Sequence, residues 1–252
     1  MKRSRVCIAG IVLGLSLALL NPDSSAPTTS TVPLRYCPGS NIPIDKAWDF
    51  SEPAGSTVFK ETYTHATADN LTITSFGGVP TANGAYVTFH DNSILRSAGN
   101  VFNPENRDFV YCISYAVNDS NGYNLTQIDN SKVPPTVAGF LKLTGWYAEF
   151  NTTDRRWKCD TGVRGTIQNG TGWHSVTMER KGNVFNVYMD GKTANLSDPL
   201  LVHKCPITEN NIGPIHMTKP ISVGGKLENS GAPTEIGDLF NGSVAYMMVG
   251  MI

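Results

Sequence analysis

Beyond residue 26, apolar residues nowhere keep the helical spacing of about 3.6; alternation with a period of two persists instead. Leu71-Thr72-Ile73-Thr74 and Ala85-Tyr86-Val87-Thr88-Phe89 alternate cleanly. Phe109, Tyr111, Ile113, Tyr115 and Val117 share one face of a longer run, and residues 137–143 and 146–150 follow. Residues 173–180 set Val176 and Met178 on one side, and Phe185, Val187 and Met189 share a face of the next run. Between these two, Lys181-Gly182-Asn183 is a hairpin turn with glycine where positive φ is needed, and Asp190-Gly191 is a second turn signal. Residues 221–223 and 244–251 close the chain. About a dozen strands, with turns roughly every 8–12 residues, predict an all-β, two-sheet antiparallel sandwich or jelly roll. A strand that runs to the C-terminus needs a partner already formed, and Trp48-Asp49-Phe50 is the natural candidate. No repeat and no composition shift marks an internal boundary, so one domain is expected over 34–252.

The first 26 residues have a different character. Lys2, Arg3 and Arg5 precede an apolar run from Val6 to Leu20, interrupted only by Ser16; Asn21-Pro22 and the small residues Ser24-Ser25-Ala26 follow. This is the layout of a secretory signal peptide, and its 15-residue run falls short of the ~20 that cross a bilayer. Cleavage near Pro27 is expected, leaving a flexible leader over 27–33, a secreted protein and no membrane span. Losing Lys2, Arg3, Arg5 and Asp23 takes the formal net charge from −1 to −3. That balance, with a chain pI of about 6.5, speaks against nucleic acid, which calls for a basic face.

Cys7 leaves with the signal; Cys37, Cys112, Cys159 and Cys205 remain. No C-x-x-C or paired Cys/His spacing suggests a metal, and an oxidising compartment does not suit a free-thiol nucleophile. Two disulfides are expected; three connectivities are open, and Cys112–Cys159 with Cys37–Cys205 is the one preferred. Seven N-x-S/T sequons, at Asn70, Asn118, Asn124, Asn151, Asn169, Asn195 and Asn241, suit a secreted chain with polar turns.

Several stretches together resemble a known family. Trp48-Asp49-Phe50-Ser51-Glu52-Pro53-Ala54-Gly55 resembles the opening of laminin G-like jelly rolls. Trp173-His174-Ser175-Val176, with Val187-Tyr188-Met189-Asp190-Gly191, resembles their central hairpin. Ile221-Ser222-Val223-Gly224-Gly225 and Phe240-Asn241-Gly242-Ser243-Val244-Ala245 resemble their closing strands. Phe109-Val110-Tyr111-Cys112-Ile113-Ser114-Tyr115 looks like the strand that carries a cysteine in pentraxins. The resemblance implies the concanavalin A-like sandwich, with Trp48 and Trp173 as scaffold residues that seal it. Relatives often bind Ca²⁺ at the rim. The loop residues Asp119, Asn121, Glu228 and Asn229 are candidate ligands, since Ca²⁺ takes oxygen donors from flexible loops.

Enzymes also occur on this sandwich. Retaining glycosidases of the fold carry an E-x-D-x-x-E strand with paired carboxylates; none occurs here, nor do the R-x-E-x-R and Q-I-H motifs of alginate lyases, nor G-x-S-x-G or H-E-x-x-H. A carbohydrate site needs an aromatic face with polar partners, and Trp146, Tyr147, Trp157 and Asp154 form the candidate cluster. The expected function is that of a secreted, non-catalytic module binding a carbohydrate or an extracellular protein. The alternatives are a divergent polysaccharide hydrolase or lyase, and a structural surface or coat component.

Overall fold

The structure, a computed structural model, describes residues 35–75, 79–90, 93–117, 124–128, 140–144, 147–151, 156–160, 172–182, 184–189, 202–206, 214–217, 220–227, 236–237 and 239–252. In chain order the strands are β1 Lys46–Trp48, β2 Val58–Phe59, β3 Leu71–Ser75, β4 Thr81–Ala82, β5 Val87–Phe89, β6 Ser93–Ser97 and β7 Phe109–Val117. Then come β8 Asn124–Ile128, β9 Phe140–Thr144, β10 Tyr147–Asn151, β11 Arg156–Asp160, β12 His174–Lys181, β13 Val184–Met189 and β14 Val202–Pro206. Last are β15 Ile221–Val223, β16 Lys226–Leu227, β17 Ile236–Gly237 and β18 Gly242–Met251. A single 3-10 turn, Thr67–Asp69, is the one helical element among the described residues.

Two eight-stranded antiparallel sheets make the sandwich. Sheet one runs β14-β13-β12-β7-β18-β5-β4, with β1 also on the flank of β18; sheet two runs β11-β10-β9-β8-β15-β6-β3-β2. β16 and β17 form a small separate ladder. The expected partnership of the last strand holds, since Trp48 lies opposite Met247. The core between the sheets takes Phe109, Tyr111, Ile113 and Tyr115 of β7, as their alternation requires. Trp48 is sealed into it with no exposure, and its indole N–H donates to the Asp69 carbonyl at 3.0 Å.

β7 is apolar on its other face too. Val110 and Cys112 would meet water if the sheet's outer side were bare. Residues 35–45 prevent this by crossing over that side, packing Cys37, Ile42 and Ile44 onto Val110, Cys112 and Met248. A strand covered on both faces reads as a nearly continuous apolar run, as Phe109–Val117 does. The cover is a close fit. A Cβ on Gly250 of β18 would stand 2.0 Å from the Pro43 carbonyl oxygen, so only glycine admits the crossing backbone. Gly39 at φ +86° rests on the Tyr188 ring.

The cover is fixed by a disulfide, Cys37–Cys112, with Cα atoms 5.9 Å apart. This corrects the expected pairing of Cys112 with Cys159 and of Cys37 with Cys205. Cys112 lies opposite Thr177 and Met248, on the outer face of sheet one, whereas β11 and its Cys159 belong to the other sheet. The core stands between the two positions.

A second anchor holds the start of β1. The Glu61 carboxylate, almost fully buried, accepts backbone N–H groups from Ala47 at 2.9 Å, Tyr63 at 2.8 Å and Thr64 at 2.8 Å, and the Thr64 hydroxyl. Burial alone would raise its pKa, but these hydrogen bonds outweigh burial and hold the group below the ordinary carboxylate range. A depressed folded-state pKa contributes stability that is present above the unfolded value and is lost as pH falls through the folded one. The melting temperature is therefore expected to fall as pH drops below about 4, and to fall less steeply in Glu61→Gln. Parallel melting curves for the two proteins would refute this role. Asn70, the first sequon, also belongs to the loop: its Oδ1 accepts the Glu61 N–H at 2.9 Å.

Candidate functional site

Trp146, Asp154 and the Ca²⁺ candidates Asp119, Asn121, Glu228 and Asn229 lie outside the described residues. Tyr147 and Trp157 fall on β10 and β11 at one edge of sheet two. Trp157 is opposite Phe150, which is opposite the buried core residue Leu141; Tyr147 neighbours Ala148, which is opposite core Leu143. The register therefore puts Trp157 on the core-side face and Tyr147 on the outer one.

Three polar or aromatic clusters involve described side chains. The first is at one rim. Glu105 adopts φ +52°, a left-handed conformation rare for a residue with a side chain, and its backbone pairs with Ile215. Its carboxylate meets His216 Nδ1 at 2.5 Å and accepts the Asn103 amide at 2.9 Å, while its carbonyl accepts Arg180 Nη1 at 3.0 Å. The hydrogen bond with His216 is the chief reason that the Glu105 pKa is lowered. The set clamps the 103–107 loop to residues 215–217.

The second cluster is buried under the cover. Glu179 of β12, with no exposure, accepts the Tyr188 hydroxyl at 3.0 Å and the Asn186 amide at 3.1 Å, has Lys181 Nζ at 3.5 Å, and accepts the Ser40 hydroxyl from the cover. Burial first, then the Glu179 charge and hydrogen bond, push the Tyr188 phenol well above its ordinary range, so it stays a donor. Every Glu179 contact is to the fold's own groups; this carboxylate is a latch and is not open to a substrate.

The third cluster is partly exposed. β4 and β5 are joined by a turn in which Asn83 Oδ1 accepts the N–H of Ala85 and of Tyr86, both at 3.0 Å, and Gly84 takes φ +89°. This turn delivers Tyr86 to the start of β5, out of phase with the core residues Val87 and Phe89. Across the sheet, Trp173 precedes β12, where the Ser114 hydroxyl pins the His174 carbonyl at 3.1 Å. The rings of Tyr86 and Trp173 meet with centroids 5.3 Å apart and planes tilted by 58°, and both residues are half-buried. The central strands β7 and β18 lie between them in the sheet, and the core side there is filled by Phe89, Tyr115 and Phe240. The pair accordingly spans the outer side. The row that joins their strands carries Ala116, Ser243 and Thr88, with the two hydroxyls 2.9 Å apart. Small residues lie beneath the two angled rings, Ala116 and Thr88 partly exposed and Ser243 buried.

Trp173 thus departs from its expected role: it does not seal the core as Trp48 does. Tyr86 was not among the expected site residues, although the alternation of 85–89 already put it opposite Val87 and Phe89. The corner formed by Tyr86 and Trp173 adjoins the end of β7, where Gly242 lies opposite Val117. Among the described residues, no three His, Cys, Asp or Glu gather in a metal-binding group, and no helix is long and apolar enough to cross a membrane.

No family model matches the chain, and no curated protein is similar to it in sequence. Solved structures do superpose on it. Domain 4 of AbnA, a GH43 extracellular arabinanase from Geobacillus stearothermophilus, in complex with arabinotriose, matches with a TM-score of 0.56 at 11% identity, over 83% of this chain and 93% of that one. A mutant of HCR D/C matches with a TM-score of 0.50 at 14% identity, over 82% of this chain and 48% of the other. Mouse laminin alpha1 domains LG4-5 align less well, with a TM-score of 0.40 at 15% identity over 77% of this chain and 44% of that one. The fold is the jelly-roll sandwich of the laminin G-like and concanavalin A-like type. Such similarity establishes architecture; function has to be argued from the site.

Proposed function

We propose that this chain is a secreted, non-catalytic binding module that takes a saccharide in the corner formed by Tyr86 and Trp173. The observation that carries the reading is this half-exposed aromatic pair, angled over small residues beside the Thr88 and Ser243 hydroxyls. A pyranose or furanose ring offers an apolar C–H face to an aromatic ring and hydroxyls around its edge, so it suits one ring wall with hydroxyl neighbours. Asp119, Asn121, Glu228 and Asn229 would hold any Ca²⁺, as oxygen donors of the kind that ion takes.

Tryptophan fluorescence titrated with an oligosaccharide panel, with and without Ca²⁺, tests the reading. Arabinotriose heads the panel, since it occurs in the complex of the structurally similar domain 4 of AbnA. At least one saccharide is expected to bind, and Tyr86→Ala and Trp173→Ala are each expected to weaken it by about tenfold, a loss of about 1.4 kcal/mol, with little change in melting temperature. Undiminished binding in both variants removes the site. Reducing sugar or unsaturated uronate released from the panel points instead to a hydrolase or lyase. A melting temperature unmoved by millimolar Ca²⁺ removes the metal, because a ligand that binds only the folded state raises its stability.

A further inference from the structure

Among the described residues, sheet one ends at β14 and sheet two ends at β11, with no hydrogen-bonded ladder between these edges. Facing sheets of a sandwich lie about 10 Å apart, yet Cα atoms of β11 and β14 come within 8 Å of each other. Each edge strand carries one cysteine in its fourth position, Cys159 in Arg156–Asp160 and Cys205 in Val202–Pro206.

The registers place both cysteines on the inner side of the sandwich. Cys205 is opposite Phe185, a core residue of β13. Cys159 is opposite Ala148, itself opposite core Leu143. Residues directly opposite in an antiparallel ladder share a face, so Cys159 and Cys205 occupy inward positions on edges that converge. Cys37 and Cys112 are already bonded to one another on the far side of sheet one.

We infer that Cys159 and Cys205 form a second disulfide, one that fastens the two sheets together along their shared edge. Disulfides generally need Cα atoms about 4.4–6.8 Å apart, a separation that this convergence brings within reach. The chemistry is thiol–disulfide exchange with a disulfide oxidant of the export compartment. The Cys159 and Cys205 thiols lose two protons and two electrons as their S–S bond forms, and the oxidant's disulfide is cleaved to two thiols. The two bonds then differ in purpose: Cys37–Cys112 holds a cover onto one sheet, and Cys159–Cys205 joins sheet to sheet.

Protein from the medium of a secreting host is alkylated without reduction, digested with trypsin and mapped by mass spectrometry. The expected result is one cross-linked species joining the Cys159 and Cys205 peptides, two hydrogens lighter than their sum, and no alkylated cysteine. Reduction before digestion should split it. Alkylated Cys159 or Cys205, or either one bonded to Cys37, to Cys112 or to another chain, overturns the assignment. The map reads connectivity alone, so it stands or falls independently of saccharide binding.

Discussion

Replacing both Cys37 and Cys112 with alanine is expected to lower folding stability by about 4 kcal/mol, the largest effect of any change considered. The bond spans a sequence separation of 75 residues, and closing so long a loop removes much of the unfolded chain's freedom. The folded state also loses the fixed end of residues 35–45, whose Ile42 and Ile44 keep water from Val110 and Met248. For a domain of this size the shift in melting temperature should be roughly 8–16 °C. Urea unfolding of the oxidised wild type and the double variant measures it directly. A difference below about 1 kcal/mol would mean that the cover holds without its covalent tie.

Glu179→Leu is expected to cost about 3 kcal/mol. The substitution strands the Tyr188 hydroxyl and Asn186 amide in a buried site and releases Ser40 of the cover. Hydrogen bonds to a charged group are among the stronger ones, and a buried donor left without its acceptor bears its full desolvation cost. Glu179→Gln keeps an acceptor in place and should cost less. Because the disulfide and Glu179 fix the same segment, the two losses should not add: once the cover is free, the Ser40 contact is already gone. A double-mutant cycle by urea unfolding reads this coupling. Strict additivity would show that the latch and the disulfide act separately, and a neutral Glu179→Leu would show that there is no latch.

Much of the sandwich was legible where both strand length and alternation were strong. Phe109–Val117 and the Lys181-Gly182 turn fall where the pattern puts them, and the closing strand finds Trp48 opposite Met247. Short or charged strands gave no such signal. β6, Ser-Ile-Leu-Arg-Ser, pairs on both sides but is too brief to show a period, and the edge strand β11 carries charges at three of its five positions. The cover was harder still, since it contains no strand long enough to alternate. Its one hint was Ile42-Pro43-Ile44, two apolar residues in phase beside Cys37. The preferred cysteine pairing failed for the same reason, because an unseen layer on the outer face gave Cys112 a neighbour that strand order alone could not supply. At the site, the scaffold reading of the W-H motif suits His174, whose ring packs on core Tyr115, but not Trp173. Alternation with Val176 and Met178 puts Trp173 on the outer side, where it meets Tyr86, more than eighty residues away in the chain.

The Cys37–Cys112 bond also sets how the molecule would bear tension. A pull applied through the residues before Cys37 passes directly across the sulfur bridge into the middle of β7. Strands β1 to β6 all lie within the bypassed segment. They sit outside the load path, so their length of chain is not drawn out until that bridge is reduced, although β1, β5 and β6 lose their partners if β18 and β15 are pulled away.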